Sequence, residues 1–228
     1  MIETLITFLE QFSTPDRIQQ LQTVAQQRTR YITVVLEDIY QTQNASAVLR
    51  SCDCFGVQDA HIIENRNTFN INPQVVMGAN KWLHMHRYGA TSNNTKQTLQ
   101  HLKAQGYRIV ATTPHRNDVS LHEFDLSKGK AAFVFGNERQ GISDPVMQEA
   151  DEFMKIPMQG FSESLNISVC AAITLQHLSH QLKQGDIDWP LSTSEYNELY
   201  LEWLKQSIKR SDLLIDEFNK RNNTHFKR

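Results

Sequence analysis

Hydrophobic and polar positions along the chain alternate between two patterns, one typical of buried strands and one of helices. The β-branched run at 32–36 suits a strand of a parallel sheet. Further short apolar segments follow at 61–63, 107–112, 131–135 and 153–156. Helical spacing of apolar residues separates them, at about 44–56, 95–104 and 163–183. This alternation predicts an α/β fold, in which a parallel sheet carries helices on both faces.

Helical patterns also flank the predicted sheet. In the first 30 residues, Pro15 and Asp16 mark a break between two short helices. Gly185 and Pro190 interrupt the chain before another helical stretch. We therefore expect an N-terminal helical extension at 1–30, an α/β domain at 31–185 and a C-terminal helical extension at 186–228.

The predicted helix at 163–183 has an unusual apolar distribution. Its first half, from Leu165 to Leu175, leaves no polar face. A helix that is apolar all round must be buried all round. A central helix of a monomer would satisfy this requirement, but a second copy covering the helix is the favoured interpretation. The sequence thus predicts a homodimer through the 163–183 helix.

Composition and charge narrow the class of protein. With 39% hydrophobic and 21% charged residues, the chain is typical of a globular protein, and no apolar run is long enough to span a membrane. The first residues lack the basic region of a secretory signal. Three cysteines, an odd number, favour reduced thiols and a cytoplasmic location. The net charge of −2 excludes binding of nucleic acid through bulk charge alone.

Common metal and nucleotide motifs are absent from the sequence. His84 and His86 share a face of a probable strand, but two ligands without a third do not predict a metal site. No G-x-G-x-x-G motif follows a strand. The loop from Gly136 to Gly141 has the glycine spacing of a P-loop but lacks the phosphate-binding lysine. We therefore expect no metal and no nucleoside triphosphate hydrolysis.

Three polar segments follow predicted strands, at the sheet edge where open α/β folds bind ligands. They are Asn44-Ala-Ser-Ala-Val-Leu-Arg50, Phe135-Gly-Asn-Glu-Arg-Gln-Gly141, and Ile156-Pro-Met158 with Ser162-Glu-Ser-Leu-Asn-Ile-Ser-Val169. In this order and spacing they resemble the three motifs of the SpoU family of RNA ribose 2′-O-methyltransferases. The resemblance extends over about residues 17–185. It is greatest to the TrmH subgroup, which acts on the D-loop guanosine at position 18 of tRNA.

The resemblance implies a fold and a cofactor. Family members have the SPOUT-type fold, whose C-terminal part is threaded into a trefoil knot, and they use S-adenosyl-L-methionine. Carried onto this chain, the cofactor-binding residues are Thr112, Gly136, Ile156 and Leu165. Most of these contacts would be made by backbone groups, so that the site selects the shape of the ligand.

The resemblance also implies catalytic roles. Arg50 would hold a substrate phosphate and stabilise the developing alkoxide, because an arginine that stays protonated is a poor general base. Asn44 would orient Arg50, and Glu138 would fix the loop geometry or the partners of Arg50. Ser164 and Asn166 would line the cofactor and ribose pocket. Family members dimerise through the long helix, in agreement with the burial argument.

The expected activity is methylation of the guanosine ribose 2′-hydroxyl in tRNA. Alternatives are another RNA site, in rRNA or the tRNA anticodon loop, and a non-catalytic RNA-binding protein of the same fold. The chain departs from the subgroup at Gln43, Glu163, His180 and Leu182, which leaves a thinner RNA-binding surface. The terminal residues Lys220, Arg221, Lys227 and Arg228 are candidates to replace it through phosphate contacts.

Overall fold

The computed structural model describes residues 2–89, 93–114, 119–222 and 226, so Lys227 and Arg228 lie outside the described residues. Packing divides the chain into two compact units. The larger unit comprises Thr29–Trp189, and the smaller one comprises Met1–Arg28 with Pro190–Arg228. No helix in the described ranges is long and apolar enough to cross a membrane.

The helices and strands of the described residues follow one another in a mainly alternating order. In chain order they are α1 (Ile2–Glu10), α2 (Pro15–Ala25), β1 (Ile32–Glu37), α3 (Thr42–Cys54), β2 (Asp59–Ile63), α4 (Pro73–Val76), β3 (His84–Tyr88), α5 (Asn94–Ala104), β4 (Arg108–Thr112), β5 (Val119–Ser120), β6 (Ala131–Phe135), α6 (Asp144–Glu149), β7 (Glu152–Lys155), α7 (Ile167–Gln184), α8 (Thr193–Ser207) and α9 (Ser211–Asn222).

Seven strands form one parallel sheet in the described part of the larger unit, in the order β3-β2-β1-β6-β4-β7-β5. The register places Val34 of β1 between Ala60 of β2 and Phe133 of β6. Every residue of β1 and β6 is buried, as expected for central strands covered on both faces. The predicted parallel α/β sheet is confirmed.

Helices cover the sheet on both faces, as the alternating pattern predicts. On one face, Val48 of α3 and Leu175 of α7 pack against β-strand residues that include Val34. On the other face, Leu99 of α5 and Val146 of α6 pack against residues of β1, β4 and β6. The residues of β1 therefore alternate between two separate hydrophobic cores.

Two predicted helix boundaries are wrong. The helix predicted to begin at residue 163 begins at Ile167, because the side chain of Asn166 accepts a hydrogen bond from the Ser168 N–H and caps the helix there. The helix predicted to begin at about residue 44 begins at Thr42, so Asn44 lies inside α3. Its N-cap is Gln41, and the Asn44 side chain is bound elsewhere.

The smaller unit is made of helices from both ends of the described chain. Contacts of α1 and α2 with α8 bury apolar residues that include Leu5, Leu9 and Trp203. The guanidinium of the buried Arg28 lies 5.2 Å from the ring centroid of Trp203. The two stretches predicted as separate helical extensions thus share one core.

Candidate active site

A cavity of about 790 Å³ opens where β4, β6 and β7 end. Thr112 at the end of β4 lines it, as do Gly136 directly after β6 and Ile156 directly after β7. The loop before α7 adds Ser164 and Leu165. The carboxyl edge of a parallel sheet is the common ligand site of open α/β folds, and the volume suits a small organic molecule.

The loop after β6 folds back tightly along one wall of the cavity. Asn137 and Gly141 exchange two backbone hydrogen bonds, of 2.9 and 2.8 Å. A Cβ atom on Gly136 would lie 2.4 Å from backbone atoms of Gly141 and Ile142. Backbone atoms cannot move aside as a flexible side chain can, so only glycine fits at position 136.

Glu138 joins this loop to the start of α3. Its carboxylate accepts hydrogen bonds from the backbone N–H groups of Tyr40, at 2.8 Å, and Gln41, at 3.1 Å. It also accepts one from Nδ2 of Asn44, at 2.8 Å. Three donors, two of them backbone groups, hold the carboxylate in one position and fix the loop geometry.

A chain of side-chain amides continues from Glu138 to the start of α7. The buried Asn44 accepts, through Oδ1, a hydrogen bond of 3.2 Å from Nδ2 of Asn166. Oδ1 of Asn166 in turn accepts from the Ser168 backbone N–H at 2.8 Å and from its hydroxyl at 2.7 Å. Hydrogen bonds therefore connect all three motif segments, which lie far apart in sequence.

The model of the SpoU rRNA Methylase family matches residues 31–176 of this chain. This chain belongs to the SpoU methylase family. A Borreliella burgdorferi protein named tRNA (guanosine(18)-2′-O)-methyltransferase is 36% identical over 214 residues, which cover 94% of this chain and 96% of that protein.

Solved structures agree with this SpoU assignment. The crystal structure of an Aquifex aeolicus TrmH/SpoU tRNA modifying enzyme gives a TM-score of 0.74 at 30% identity and covers 85% of this chain and 98% of that one. The SpoU methyltransferase AviRb of Streptomyces viridochromogenes, in complex with AdoMet, gives a TM-score of 0.58 at 20% identity, over 69% of this chain and 60% of that one. At this identity, the similarity to AviRb supports the fold alone.

The cavity of this SpoU protein brings together eight of the nine residues that the motifs predict. Those eight residues are Asn44, Thr112, Gly136, Glu138, Ile156, Ser164, Leu165 and Asn166. The Thr112 hydroxyl donates a 2.8 Å hydrogen bond to the Val134 carbonyl, whereas Ser164 is exposed at the cavity. The burial of Cys170, on another part of the wall, raises the pKa of its thiol to about 11, so the thiol stays protonated at neutral pH.

Arg50 is the ninth residue, and it lies in a different place. Its side chain is exposed in a groove of about 510 Å³ between α3 and α7, whose lining includes Ser168, Val169 and Ile173. The described residues supply no hydrogen bond or ion pair to its guanidinium. The hydrogen bonds of Asn44 go to Glu138, Gln41 and Asn166, so the predicted contact between Asn44 and Arg50 is absent from the described structure.

The motifs do not reveal Asp38, which organises the same edge of the sheet. Its backbone is in the left-handed region, with φ of 52°. Oδ1 of Asp38 accepts hydrogen bonds from three consecutive backbone N–H groups, at 65–67, and its carbonyl accepts one of 2.6 Å from Nδ2 of Asn137. The available signal is the residue type, because aspartate tolerates this conformation and binds nearby backbone groups.

A separate cluster of titratable groups lies on β2 and β3. Burial alone would raise the pKa of Asp59, but hydrogen bonds with His84 and His86 and the ion pair with Arg30 outweigh it and hold that pKa well below its ordinary value. Burial lowers the pKa of His61 to about 4. Among the described residues, no group of three or more His, Cys, Asp or Glu side chains could hold a metal ion.

Proposed function

We propose that this SpoU family member is a tRNA (guanosine-2′-O-)-methyltransferase, which transfers a methyl group from S-adenosyl-L-methionine to the ribose 2′-hydroxyl of guanosine 18 in the D-loop. The observation that carries the proposal is the convergence of eight motif residues on one cavity, joined by hydrogen bonds from Glu138 to Asn166. The B. burgdorferi relative, which bears this activity in its name and matches nearly the whole chain, supports the choice of substrate.

The cavity fits the cofactor. Its volume of about 790 Å³ is in the range of pockets that bind small organic ligands. The missing side chain at Gly136 leaves the backbone of the loop after β6 open to close approach by a ligand. Thr112, Gly136, Ile156 and Leu165 would hold the cofactor, largely by their backbones. When bound, S-adenosyl-L-methionine supplies an electrophilic methyl group on a sulfonium.

The residues of the chain position the acceptor for this reaction. In-line attack needs the ribose oxygen and the methyl carbon held at contact distance, so positioning supplies much of the rate. Asn44, Glu138, Ser164 and Asn166 form the wall on which the ribose would rest. A guanidinium is a poor general base, so the role proposed for Arg50, from the groove between α3 and α7, is to bind a substrate phosphate and stabilise negative charge as it develops on the 2′-oxygen.

The homodimer through α7 is part of this proposal. Val169 and Ile173, which line the groove between α3 and α7, are 46% and 39% exposed along one side of α7. Apolar side chains exposed in a row are typical of a protein interface. A second copy seated on this groove would bury them and would bring Arg50, which lines the same groove, to the interface.

The remaining parts of the proposal concern domain organisation and location. Residues 31–185 form the catalytic domain, with its C-terminal part threaded into a SPOUT-type trefoil knot, between helical extensions at 1–30 and 186–228. The family match over 31–176 supports the domain, and membership of the family supports the knot. Free cysteines at 52, 54 and 170, together with a tRNA substrate, support a cytoplasmic location.

The decisive experiment is methyl transfer from labelled S-adenosyl-L-methionine to unmodified tRNA transcripts. We expect label at the 2′-oxygen of guanosine 18, mapped by resistance to alkaline hydrolysis. A transcript with adenosine at position 18 is the matched control and should remain unlabelled. Label at an anticodon-loop nucleotide, in no RNA, or only in rRNA offered in a parallel reaction would contradict the proposal and favour one of the alternatives.

A further inference from the structure

A tyrosine and an arginine form an exposed stacked pair at the rim of the cavity. Arg139 lines the cavity, and its guanidinium carbon lies 4.0 Å from the centroid of the Tyr40 ring. Gln41, the next residue after Tyr40, also lines the cavity. Tyr40 is still 50% exposed with Arg139 over its ring. The pair therefore offers an aromatic and cationic surface to whatever enters the cavity.

Both members of the pair are fixed through their backbones. The Tyr40 N–H donates a 2.8 Å hydrogen bond to Glu138, and the Arg139 N–H donates one of 2.9 Å to Oδ1 of Asn137. The side chain of Asn137 is itself bound to the carbonyl of Asp38. A ligand that stacks on this pair would meet a surface that is already ordered, which lowers the entropic cost of binding.

The guanidinium of Arg139 differs from those of three other arginines in the larger unit. Arg30, Arg87 and Arg108 each bind a carboxylate. Arg139 has no carboxylate within 4.0 Å and makes no side-chain hydrogen bond, counting the partners that the described ranges contain. A planar guanidinium stacked on a ring keeps its N–H donors in its own plane. Those donors remain available to an anion at the cavity rim.

These features match the chemistry of a single-stranded nucleotide. Unpaired bases in RNA loops stack on aromatic rings and guanidinium planes, and arginine pairs with phosphate through two parallel N–H groups. We propose that Tyr40 and Arg139 form a binding platform for one unpaired nucleotide next to the methylated ribose. The base stacks on the exposed surface of the pair, and Arg139 binds the adjacent phosphate. The proposal rests on the proposed function and specifies how that site holds its RNA.

Steady-state kinetics with tRNA test the platform. We expect Tyr40→Leu to raise KM for tRNA by about fivefold or more, the loss expected when a base loses its aromatic partner. Tyr40→Phe keeps the ring and should stay within about twofold of the unchanged protein. KM for S-adenosyl-L-methionine should change less than about twofold in both variants, because Tyr40 does not line the cavity proposed for the cofactor.

Salt dependence tests the phosphate contact. Arg139→Gln should raise KM for tRNA and should lower the slope of log KM against log salt by about one, the change expected when one phosphate contact is lost. Lys96→Gln removes the same charge from an exposed position of α5 and is the matched control. It should leave KM for tRNA and its salt slope unchanged.

A modified tRNA distinguishes the loss of base stacking on Tyr40 from damage to the loop that carries Tyr40. A tRNA that lacks the base on one side of the methylated guanosine should have the same KM with Tyr40→Leu as with the unchanged protein. This RNA has no base there that could stack on the Tyr40 ring. If Tyr40→Leu is active and has the same KM for intact tRNA as the unchanged protein, the platform is wrong and the proposed function stands. If Tyr40→Leu raises KM for S-adenosyl-L-methionine as much as it raises KM for tRNA, the platform is also wrong, because Tyr40 then has a structural role. If Tyr40→Leu does not fold, the salt dependence of Arg139→Gln decides. No methyl transfer by the unchanged protein would overturn the proposed function and the platform with it.

Discussion

The side-chain amide of Asn44 has one orientation that satisfies its neighbours. Its Nδ2 faces the carboxylate of Glu138, and its Oδ1 faces the Nδ2 donor of Asn166. An aspartate at this position would set one carboxylate against another, and a leucine would remove a hydrogen-bond partner from both Glu138 and Asn166. An amide, which carries a donor and an acceptor on one planar group, meets both demands.

Arg50→Ala should remove methyl transfer while leaving the fold intact. The side chain is exposed, so its loss should change the free energy of unfolding by about 0.5 kcal/mol or less. Loss of a group that stabilises developing negative charge should lower the single-turnover rate by about 100-fold or more. Calorimetric binding of S-adenosyl-L-methionine should match that of the unchanged protein. Full activity in Arg50→Ala would show that Arg50 has no catalytic role.

The residues of the site were predictable only in part. Motif order was enough to name Asn44, Glu138 and Asn166 as candidates, but it does not state which of them touch. Arg50 follows Asn44 by six residues, and a helix turns about 100° per residue, so the two side chains leave α3 on different sides. The stacking of Tyr40 on Arg139 forms only when loops about 100 residues apart in sequence meet, which no local pattern encodes.

At the scale of single elements, α7 combines a capped start inside the cavity with an exposed apolar side. Val169→Glu adds a charge to that side and should convert the proposed dimer to a monomer, because burial of an unpaired carboxylate is strongly unfavourable. Light scattering measures the mass, and circular dichroism should show unchanged helix content. Gln184→Glu adds the same charge at the carboxyl end of α7 and should remain dimeric. A monomeric mass for the unchanged protein would refute the proposed dimer.

The pattern of hydrophobic and polar residues predicts those elements that are long enough to show a clear periodicity. The strands β1 and β6 have continuous apolar runs because both of their faces are covered. Strand β5 has only two residues, which is too few to show the alternation of a strand, and it is defined by its pairing with β7. The predicted start of α7 is too early because Leu165, four residues before Val169, continues the apolar spacing of the helix, whereas the cap at Asn166 depends on a hydrogen bond to Ser168.

At the scale of the whole molecule, stability should fall as the pH drops from about 6.5 to about 4. His61 stays neutral in the folded protein down to about pH 4, whereas in the unfolded chain it takes up a proton near pH 6.5. The unfolded state therefore binds more protons in this interval, and the lost free energy amounts to about 3 kcal/mol at most. Among the neighbouring groups, His86 and His101 also lower the pKa of His61 and Asp59 raises it, while the Tyr88 hydroxyl lies 2.9 Å from its Nδ1.

Urea unfolding of the unchanged protein and of His61→Phe measures this effect. Phenylalanine keeps a ring that can stack on Tyr88 but cannot titrate, so the variant should lose less stability between pH 6.5 and pH 4. His180→Gln, at an exposed histidine, should keep the full pH dependence. Below this range the loss should continue, because Asp59 in the unfolded chain takes up its proton near its ordinary pKa of 3.8. Equal slopes for the unchanged protein and His61→Phe would contradict the assignment.

The helical unit built from both ends of the described chain constrains how the protein emerges from the ribosome. Arg17 of α2 donates a hydrogen bond to Ser207 of α8, and Tyr200 donates one to Glu10, each across 190 positions. At about 5 to 20 residues per second, translation leaves roughly 10 to 40 seconds between the synthesis of α1 and that of α8. Leu5 and Leu9 must spend that interval without their neighbours in α8. Helix α1 is thus translated well before the helix that it packs against, and its apolar side stays uncovered by α8 in the meantime.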